Sequence, residues 1–367
     1  MKPILVINSG SSSLKYQVVD TTAEQSLLAG TIERVTDHGV AFAEMLAALK
    51  SSGLSPVAVG HRVVHGGERF SQPTLIDDAV EAEIAELIPL APLHNPGNLA
   101  GIQAARKAFP DLPQVAVFDT AFHQTMPESA YRYAIDRDLA DQYSIRRYGF
   151  HGSSHSYVSR KAAEFLGKTP EDFNGIVLHL GNGASACAIR GGKSIDTSMG
   201  MTPLQGLVMG SRSGDIDPAI VFYLIREAGM EPAEVDALLN KKSGMLRLTG
   251  ASDFRDVTER SDAGDQRAKV ALEIFTARVR HYLGAYIVAL GSCDAIVLTG
   301  GVGENAANER AAICRDLELL GIELDVEKNQ QRSKVARDIS APGSAVRVLV
   351  VPTNEELEIA LQSQRLI

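Results

Sequence analysis

The chain has no tryptophan, few aromatic residues (5%) and only three cysteines, Cys187, Cys293 and Cys314, in 367 residues. The cysteines stand far apart with no paired ligand spacing, which excludes a disulfide framework and a thiolate zinc site and leaves buried, reduced thiols. Excess basic charge is also lacking: 36 Lys+Arg against 45 Asp+Glu give a net charge of -9. That balance opposes sequence-blind attraction to a polyanionic backbone, so nucleic acid is not an expected partner. No stretch approaches the roughly 20 apolar residues of a membrane span, and the short apolar run before Asn8 is no signal-peptide core. A soluble, cytoplasmic protein without a membrane partner is expected. Hydrophobic residues at 45% and charged residues at 22% exclude disorder or coiled coil for the whole chain, and its length suits about two domains.

Glycine is plentiful, at 32 residues, and much of it lies in a few short clusters. Ile4-Leu5-Val6-Ile7, the polar turn Asn8 to Ser13 and Leu14 to Val19 read as a β-hairpin. Ile176 to Leu180, Gly181 to Ser185 and Ala186 to Ile189 repeat that grammar nearly half a chain later. Laying Ser9-Gly10 on Asn182-Gly183 predicts a duplicated unit. Between and after the hairpins, short apolar strands (Val57 to Gly60, Val115 to Phe118, Ala295 to Leu298, Arg347 to Val351) alternate with helical patterns. Helices are predicted over Asp77 to Leu90, Pro96 to Ala108, Pro218 to Ala228, Ala268 to Leu290, from Asn305 onward and over Glu355 to Gln364. The class is α/β.

Several clusters carry chemistry. Asn8 to Ser13 can turn backbone N–H groups toward an anion, although the Walker spacing is absent and an ordinary serine-rich turn has the same composition. Arg62, between strand residues and glycines, suits bidentate binding of a carboxylate or phosphate. His61 and His65 read as core histidines rather than a metal pair. Asp119 ends a strand, where catalytic acids and capping residues both occur. His151 lies between Phe150 and Gly152, within reach of a ligand, and with His155 it lacks a third zinc ligand. Asp196 to Pro218 is read as a long polar segment too glycine-rich to be buried, with Arg212 free to reach a phosphoryl group. Gly300-Gly301-Val302-Gly303 has the wrong spacing for a dinucleotide fingerprint, yet a flat nucleoside can lie against such a backbone.

In this order, over essentially the whole chain, these blocks resemble the acetate kinase family. The matching stretches are Val6 to Lys15, Gly60 to Gly67, Phe118 to His123, Tyr148 to His155, His179 to Gly183, Asp196 to Pro218, Gly300 to Asn305 and Pro352 to Glu356. The resemblance implies duplicated actin-like ATPase (ribonuclease H-like) domains with a nucleotide cleft between them. Residues 1–120 with 357–367 would form the first domain and 121–356 the second. It implies phosphoryl transfer between ATP and acetate, with Mg2+ (or Mn2+) placed by Asn8 and Glu355, and a homodimer. Asp119, His151 and Arg212 would be catalytic. Arg62 would bind the carboxylate, and Val64, Leu93, Phe150 and Pro203 would enclose the methyl group. Lys15, His179, Leu180, Gly181, Asn182 and Gly183 would hold nucleotide, together with Asp253, Phe254 and Arg255 and with Gly301, Val302, Gly303, Glu304 and Asn305.

Two departures stand out. The connection between the first hairpin and Gly60 is shorter than the family's, and Ser153 replaces the usual threonine. Propionate is an alternative acceptor, because one methylene is worth only roughly 1 to 3 kcal/mol of discrimination. A non-catalytic nucleotide switch of the same fold is a second alternative, which the intact set Arg62, Asp119, His151 and Arg212 opposes.

Overall fold

The computed structural model describes residues 2–10, 13–35 and 38–367. Ser11 and Ser12, part of the turn read as facing an anion, lie outside the described residues. The chain divides into two compact units: residues 1–124, 150–157 and 354–367, and residues 125–149 and 158–353.

In the first unit the strands are β1 (Pro3–Ser9), β2 (Ser13–Asp20), β3 (Gln25–Glu33), β4 (Ala58–Val63), β5 (Thr74–Leu75) and β6 (Gln114–Phe118). They form one sheet in the order β3-β2-β1-β4-β6-β5. β1, β4 and β6 run parallel, and the other neighbours pair antiparallel. Ile4 to Ile7 are all buried, which explains their continuous apolar run: this strand is covered on both faces. On one face, Phe42, Met45 and Leu49 of the helix His38–Ser52 recur at helical spacing and pack with Leu5, Ile7, Leu14 and Val18. The helix Glu355–Gln364 lies close against β4, where a Cβ on Gly60 would stand 2.6 Å from Ser363 Oγ. The helix expected from Asp77 to Leu90 spans only Asp78–Glu86, with Asp77 capping Val80 N–H, and a separate short turn, Ile88–Leu90, follows. Pro89 lacks the N–H that a continuous helix would need there.

In the second unit, β7 (Asn174–Leu180), β8 (Ala184–Arg190), β9 (Lys193–Thr197), β10 (Ala295–Thr299), β11 (Arg337–Asp338) and β12 (Arg347–Val350) form a sheet in the order β11-β12-β10-β7-β8-β9. Read from β9, this is the order and the pattern of parallel and antiparallel pairing found in the first sheet. The expected duplication is therefore present. Its equivalence is shifted, because the closing pairs are Ser9 with Leu14 and Leu180 with Ala184. Ser9 thus matches Leu180 and not Asn182.

Two local expectations fail here. The helix expected from Asn305 onward begins earlier: Gly300–Asn305 is already helical, followed by the helix Ala307–Cys314. Gly300, at φ +77, turns the chain at once out of β10, beside Leu180 O. The glycine-rich segment after Asp196 is not wholly exposed either, since Ser198, Met199, Leu207 and Met209 are fully buried. Its carbonyls are satisfied inside, as three of them show by accepting from Arg147. Cys187 and Cys314 are buried free thiols, and Cys293 is half-buried. Among the described residues, no helix is long and apolar enough to cross a membrane.

His61 and His65 are buried, as core histidines should be. Burial pulls the His61 imidazole down to about 4, against the hydrogen bond between its Nε2 and Gln114 Oε1 at 2.8 Å. The unfolded chain takes up that proton near the ordinary histidine value of 6.5 and the folded one does not, so stability is lost as pH falls from 6.5 toward 4. Replacing His61 by Gln should remove about 2 kcal/mol of the difference in unfolding free energy between about pH 7 and pH 4.5. Urea titrations of both proteins at the two pH values check this.

Candidate active site

Because β1, β4 and β6 are parallel neighbours, Asn8, Arg62 and Asp119 come out at adjacent carboxyl ends of the first sheet, the usual place for functional side chains in open α/β sheets. Asp119 N–H donates to Val63 O at 2.9 Å, continuing the ladder by one residue. Arg62 forks onto Asp119: its Nε lies 3.1 Å from both carboxylate oxygens, and its Nη2 donates to Oδ2 at 2.6 Å. Nη1 reaches Asn8 Oδ1 at 3.4 Å. Ser153 Oγ donates to Glu355 Oε2 at 3.0 Å and lies 3.5 Å from Asp119 Oδ1. Serine in place of threonine thus keeps the hydroxyl that joins the two acids.

The electrostatics follow from burial. Asp119 is pushed up by desolvation, with Glu355 adding in the same direction and Arg62 pulling against both. Burial works against the Arg62 cation, but Asp119 and Glu355 outweigh it and hold its pKa above the ordinary value. Arg62 therefore remains a cation at any working pH.

The surrounding backbone is fastened by two buried asparagines at the start of the helix Asn95–Ala108. Asn98 accepts from Val64 N–H at 3.0 Å and donates to Ser9 O at 2.6 Å. Asn95 exchanges two 3.1 Å hydrogen bonds with the His65 backbone. The helix predicted over Pro96 to Ala108 contains Asn98 and leaves Asn95 just outside it, and neither role is foreseen in the sequence; the signal is two amides at a helix's start, where carboxamides often bond to the backbone. Of the residues expected around a methyl group, Val64 and Phe150 are buried in this unit, while Leu93 is 45% exposed.

His151 adopts φ +57, a left-handed conformation uncommon for a residue with a side chain. Its neighbours hold it there. Phe150 O accepts from His123 Nε2 at 3.0 Å, and Gly152 N–H donates to Asp119 O at 2.9 Å. A Cβ on Gly152 would stand 2.2 Å from that same oxygen.

The second unit carries a cleft of about 940 Å³. Gly181 and Asn182 from the β7–β8 turn line it, with Asp253, Phe254 and Arg255 from a helix start and Gly301, Val302 and Asn305 after β10. Sequence reading missed others on the same wall, among them Thr258, Glu309 and Arg332. Asp253 caps the helix Phe254–Asp262 and pairs with Arg255, whose hydrogen bonds lower its carboxyl to about 2. The remaining expected nucleotide residues do not line the cleft. His179 and Leu180 are buried in β7, Gly183 accepts from Gly181 N–H, and Gly303 is buried in its helix. Glu304 accepts from Gly300 N–H at 3.0 Å and Thr353 N–H at 3.2 Å, and Lys15 is exposed on β2 in the first unit.

Arg212, in the second unit, contrasts with Arg62. Its Nη1 meets only Pro203 O at 3.3 Å and Met209 Sδ at 3.6 Å, and no carboxylate pairs with it among the described residues. Desolvation accordingly lowers its pKa. A half-buried guanidinium without a counter-charge is suited to receive an anionic ligand.

The duplicated sheets, one with charged strand ends and the other with a glycine-bounded cleft, define a two-unit α/β protein whose functional side chains gather at strand ends. Residues 3–361 match the model of the acetokinase family, and the chain belongs to that family. It is 56% identical to an acetate kinase of Leifsonia xyli, with 99% of this chain and 98% of the relative covered. That alignment runs over 390 positions, more than the chain's 367 residues, so the relative carries segments that this chain lacks. Among solved structures, a Porphyromonas gingivalis acetate kinase superposes with a TM-score of 0.95 at 42% identity, covering 100% of this chain and 99% of the other. A propionate kinase from Francisella tularensis superposes with a TM-score of 0.94 at 43% identity, covering 100% of both.

Because Gly152 meets Asp119 O so closely, Gly152→Ala should push the two backbones apart. We expect a loss of about 1–3 kcal/mol in stability and a fall in kcat larger than any change in KM for ATP. Chemical denaturation and steady-state kinetics on one preparation check both.

Proposed function

We propose that the chain is an acetate kinase, which transfers the γ-phosphoryl group of ATP to acetate to give acetyl phosphate and ADP, and runs the reverse reaction. The observation that carries this reading is Arg212: a desolvated cation paired with no acid among the described residues, on a glycine-rich segment of the unit that also holds the cleft. ATP would occupy that cleft, with Arg212 serving the transferring phosphoryl. Arg62 would bind the acetate carboxylate through Nη1, which Asp119 leaves outside its fork.

A carboxylic acid with a pKa near that of Glu, about 4.3, is already ionised at neutral pH. Its oxygen can attack the γ-phosphorus directly; the new O–P bond forms as the bond to the β–γ bridging oxygen breaks, and that electron pair leaves with ADP. No general base is required. Asp119 instead fixes the plane of the Arg62 guanidinium, and His151, held in its strained conformation, would donate to the equatorial phosphoryl oxygens. Repulsion between two anions is the main obstacle, and the cationic side chains offset it.

The donor set also suits a hard cation. Asn8 Oδ1 and the Glu355 carboxylate are oxygen ligands of the kind Mg2+ takes, and no group of three or more His, Cys, Asp or Glu among the described residues is placed to cage a metal. Asn8 and Glu355 would hold such an ion. When bound, it would neutralise phosphate charge.

Propionate is the second reading, supported by the similarity to a propionate kinase. A homodimer is part of the proposal as well. The helix Ala219–Glu227 is strongly apolar yet has no buried residue, with Ile220, Phe222 and Tyr223 exposed at 42%, 59% and 60%.

Trapping acyl phosphate with hydroxylamine, in the presence of ATP, Mg2+ and a series of short acids, should give the highest kcat/KM with acetate and no signal in EDTA. A higher value with propionate would move the assignment to that acid, and no product with any acid would leave only a nucleotide switch. Arg212→Ala should lower kcat by about 10³-fold or more with little change in KM for ATP. Phe222→Glu should shift the protein from dimer to monomer in sedimentation equilibrium; a wild-type monomer would remove the dimer from the proposal.

A further inference from the structure

The guanidinium of Arg212 touches a carbonyl and a thioether, neither of which can aim it strongly. Its direction must therefore come from its backbone, and that backbone is closed into a loop by one carboxylate. Asp215 N–H donates to Gly206 O at 2.9 Å, and Gly206 N–H donates to Asp215 Oδ1 at 2.9 Å. The other oxygen, Oδ2, accepts from the Tyr282 hydroxyl at 2.7 Å, with Arg278 Nη1 at 3.7 Å. Tyr282 and Arg278 both belong to the long helix Gln266–Leu290, so the loop is tied to the most extended rigid element of its unit.

The rest of the loop is shaped for this closure. Gly206 and Gly214 have φ +110 and +69, and a Cβ on Gly214 would lie 2.4 Å from Leu207 O. Met209 N–H donates to Arg212 O at 3.2 Å inside the loop. Outside it, Ser213 N–H donates to Leu239 O at 3.1 Å and Ser211 O accepts from Ser243 N–H at 3.0 Å. The residues on both sides of Arg212 are thus pinned, and Asp215 sets where the pinned stretch closes.

We infer that Asp215 and Tyr282 are positioning residues for phosphoryl transfer: Tyr282 fixes the carboxylate that closes residues 206–215 and so aims Arg212. This rests on the reading of Arg212 given above. Burial, followed by the adjacent Asp215 carboxylate, raises the Tyr282 phenol above its ordinary pKa, so it stays a hydrogen-bond donor throughout the neutral range. Deleting the hydroxyl leaves Asp215 Oδ2 with only Arg278 nearby and lets the closure shift, and a displacement of about 1 Å at a group serving the reaction can cost on the order of 10²-fold.

The test compares kcat and KM for the wild type, Tyr282→Phe, Arg212→Ala and the double variant. Tyr282→Phe should lower kcat about 10- to 100-fold, with KM for ATP changed by less than about twofold. Added to Arg212→Ala, it should lower the remaining turnover by less than about twofold, because the group it aims is gone. Near-native kcat in Tyr282→Phe, or an equal loss in both backgrounds, overturns the inference; the latter would mean a purely structural tyrosine. Near-native turnover in Arg212→Ala overturns the underlying reading instead. Should Tyr282→Phe prove insoluble, Asp215→Asn, which keeps the side-chain shape, is judged by the same outcomes.

Discussion

The fork between Arg62 and Asp119 is the interaction around which the first unit is arranged. Two charged groups at adjacent strand ends are tolerable out of water only when each answers the other, and removing one partner of such a buried pair costs about 3–5 kcal/mol. The parallel order of β1, β4 and β6 puts the two residues side by side. The surrounding contacts then make sense as support: Ser153 joins Asp119 to Glu355, Gly152 approaches the Asp119 carbonyl, and Asn95 and Asn98 hold the strand exit. His151 can persist at a positive φ because the chain on both sides of it is bonded to this framework.

The second unit handles its cation differently. Arg147 shares one Nη1 among the carbonyls of Thr197, Ser198 and Met199, and Arg212 leans on a carbonyl and a sulfur. Neutral groups satisfy hydrogen bonds without cancelling charge, so the charge of Arg212 stays unbalanced among the described residues. A glycine-rich segment is needed for this arrangement, because carbonyls can converge on guanidinium groups only where the backbone folds tightly on itself. The same segment consequently buries more of its length than its composition suggests.

Much of the architecture was legible in the sequence because both hairpins have the same grammar of apolar strand, small polar turn and apolar strand. The apolar runs at Ile4 to Ile7 and Ala295 to Leu298 identified strands at the centre of their sheets, and the last helix spans Glu355–Gln364 as its pattern indicates. Register was less legible, since Ser9-Gly10 and Asn182-Gly183 are alike in chemistry while the strand ends are defined by pairing. The helix His38–Ser52 escaped notice because alanines and leucines surround it on most faces, leaving little amphipathic contrast. For the site, Arg62, Asp119 and Arg212 could be singled out by their flanking glycines and strand ends. Asp215, Tyr282, Asn95 and Asn98 could not, because their significance lies in which distant backbone groups they meet.

The two sheets share one order of strands but end differently. In the first, Asn8, Arg62 and Asp119 stand at the carboxyl ends; in the second, Gly181 and Gly300 do. A doubled scaffold thus carries two different sets of strand ends, one charged and one of glycine, on the same pairing. Such a partition lets each half drift in the molecules it admits while its sister's strand ends stay as they were. With Arg62 binding the acceptor as proposed, diversification of the acceptor among relatives of this chain would be written mainly in the amino-terminal copy.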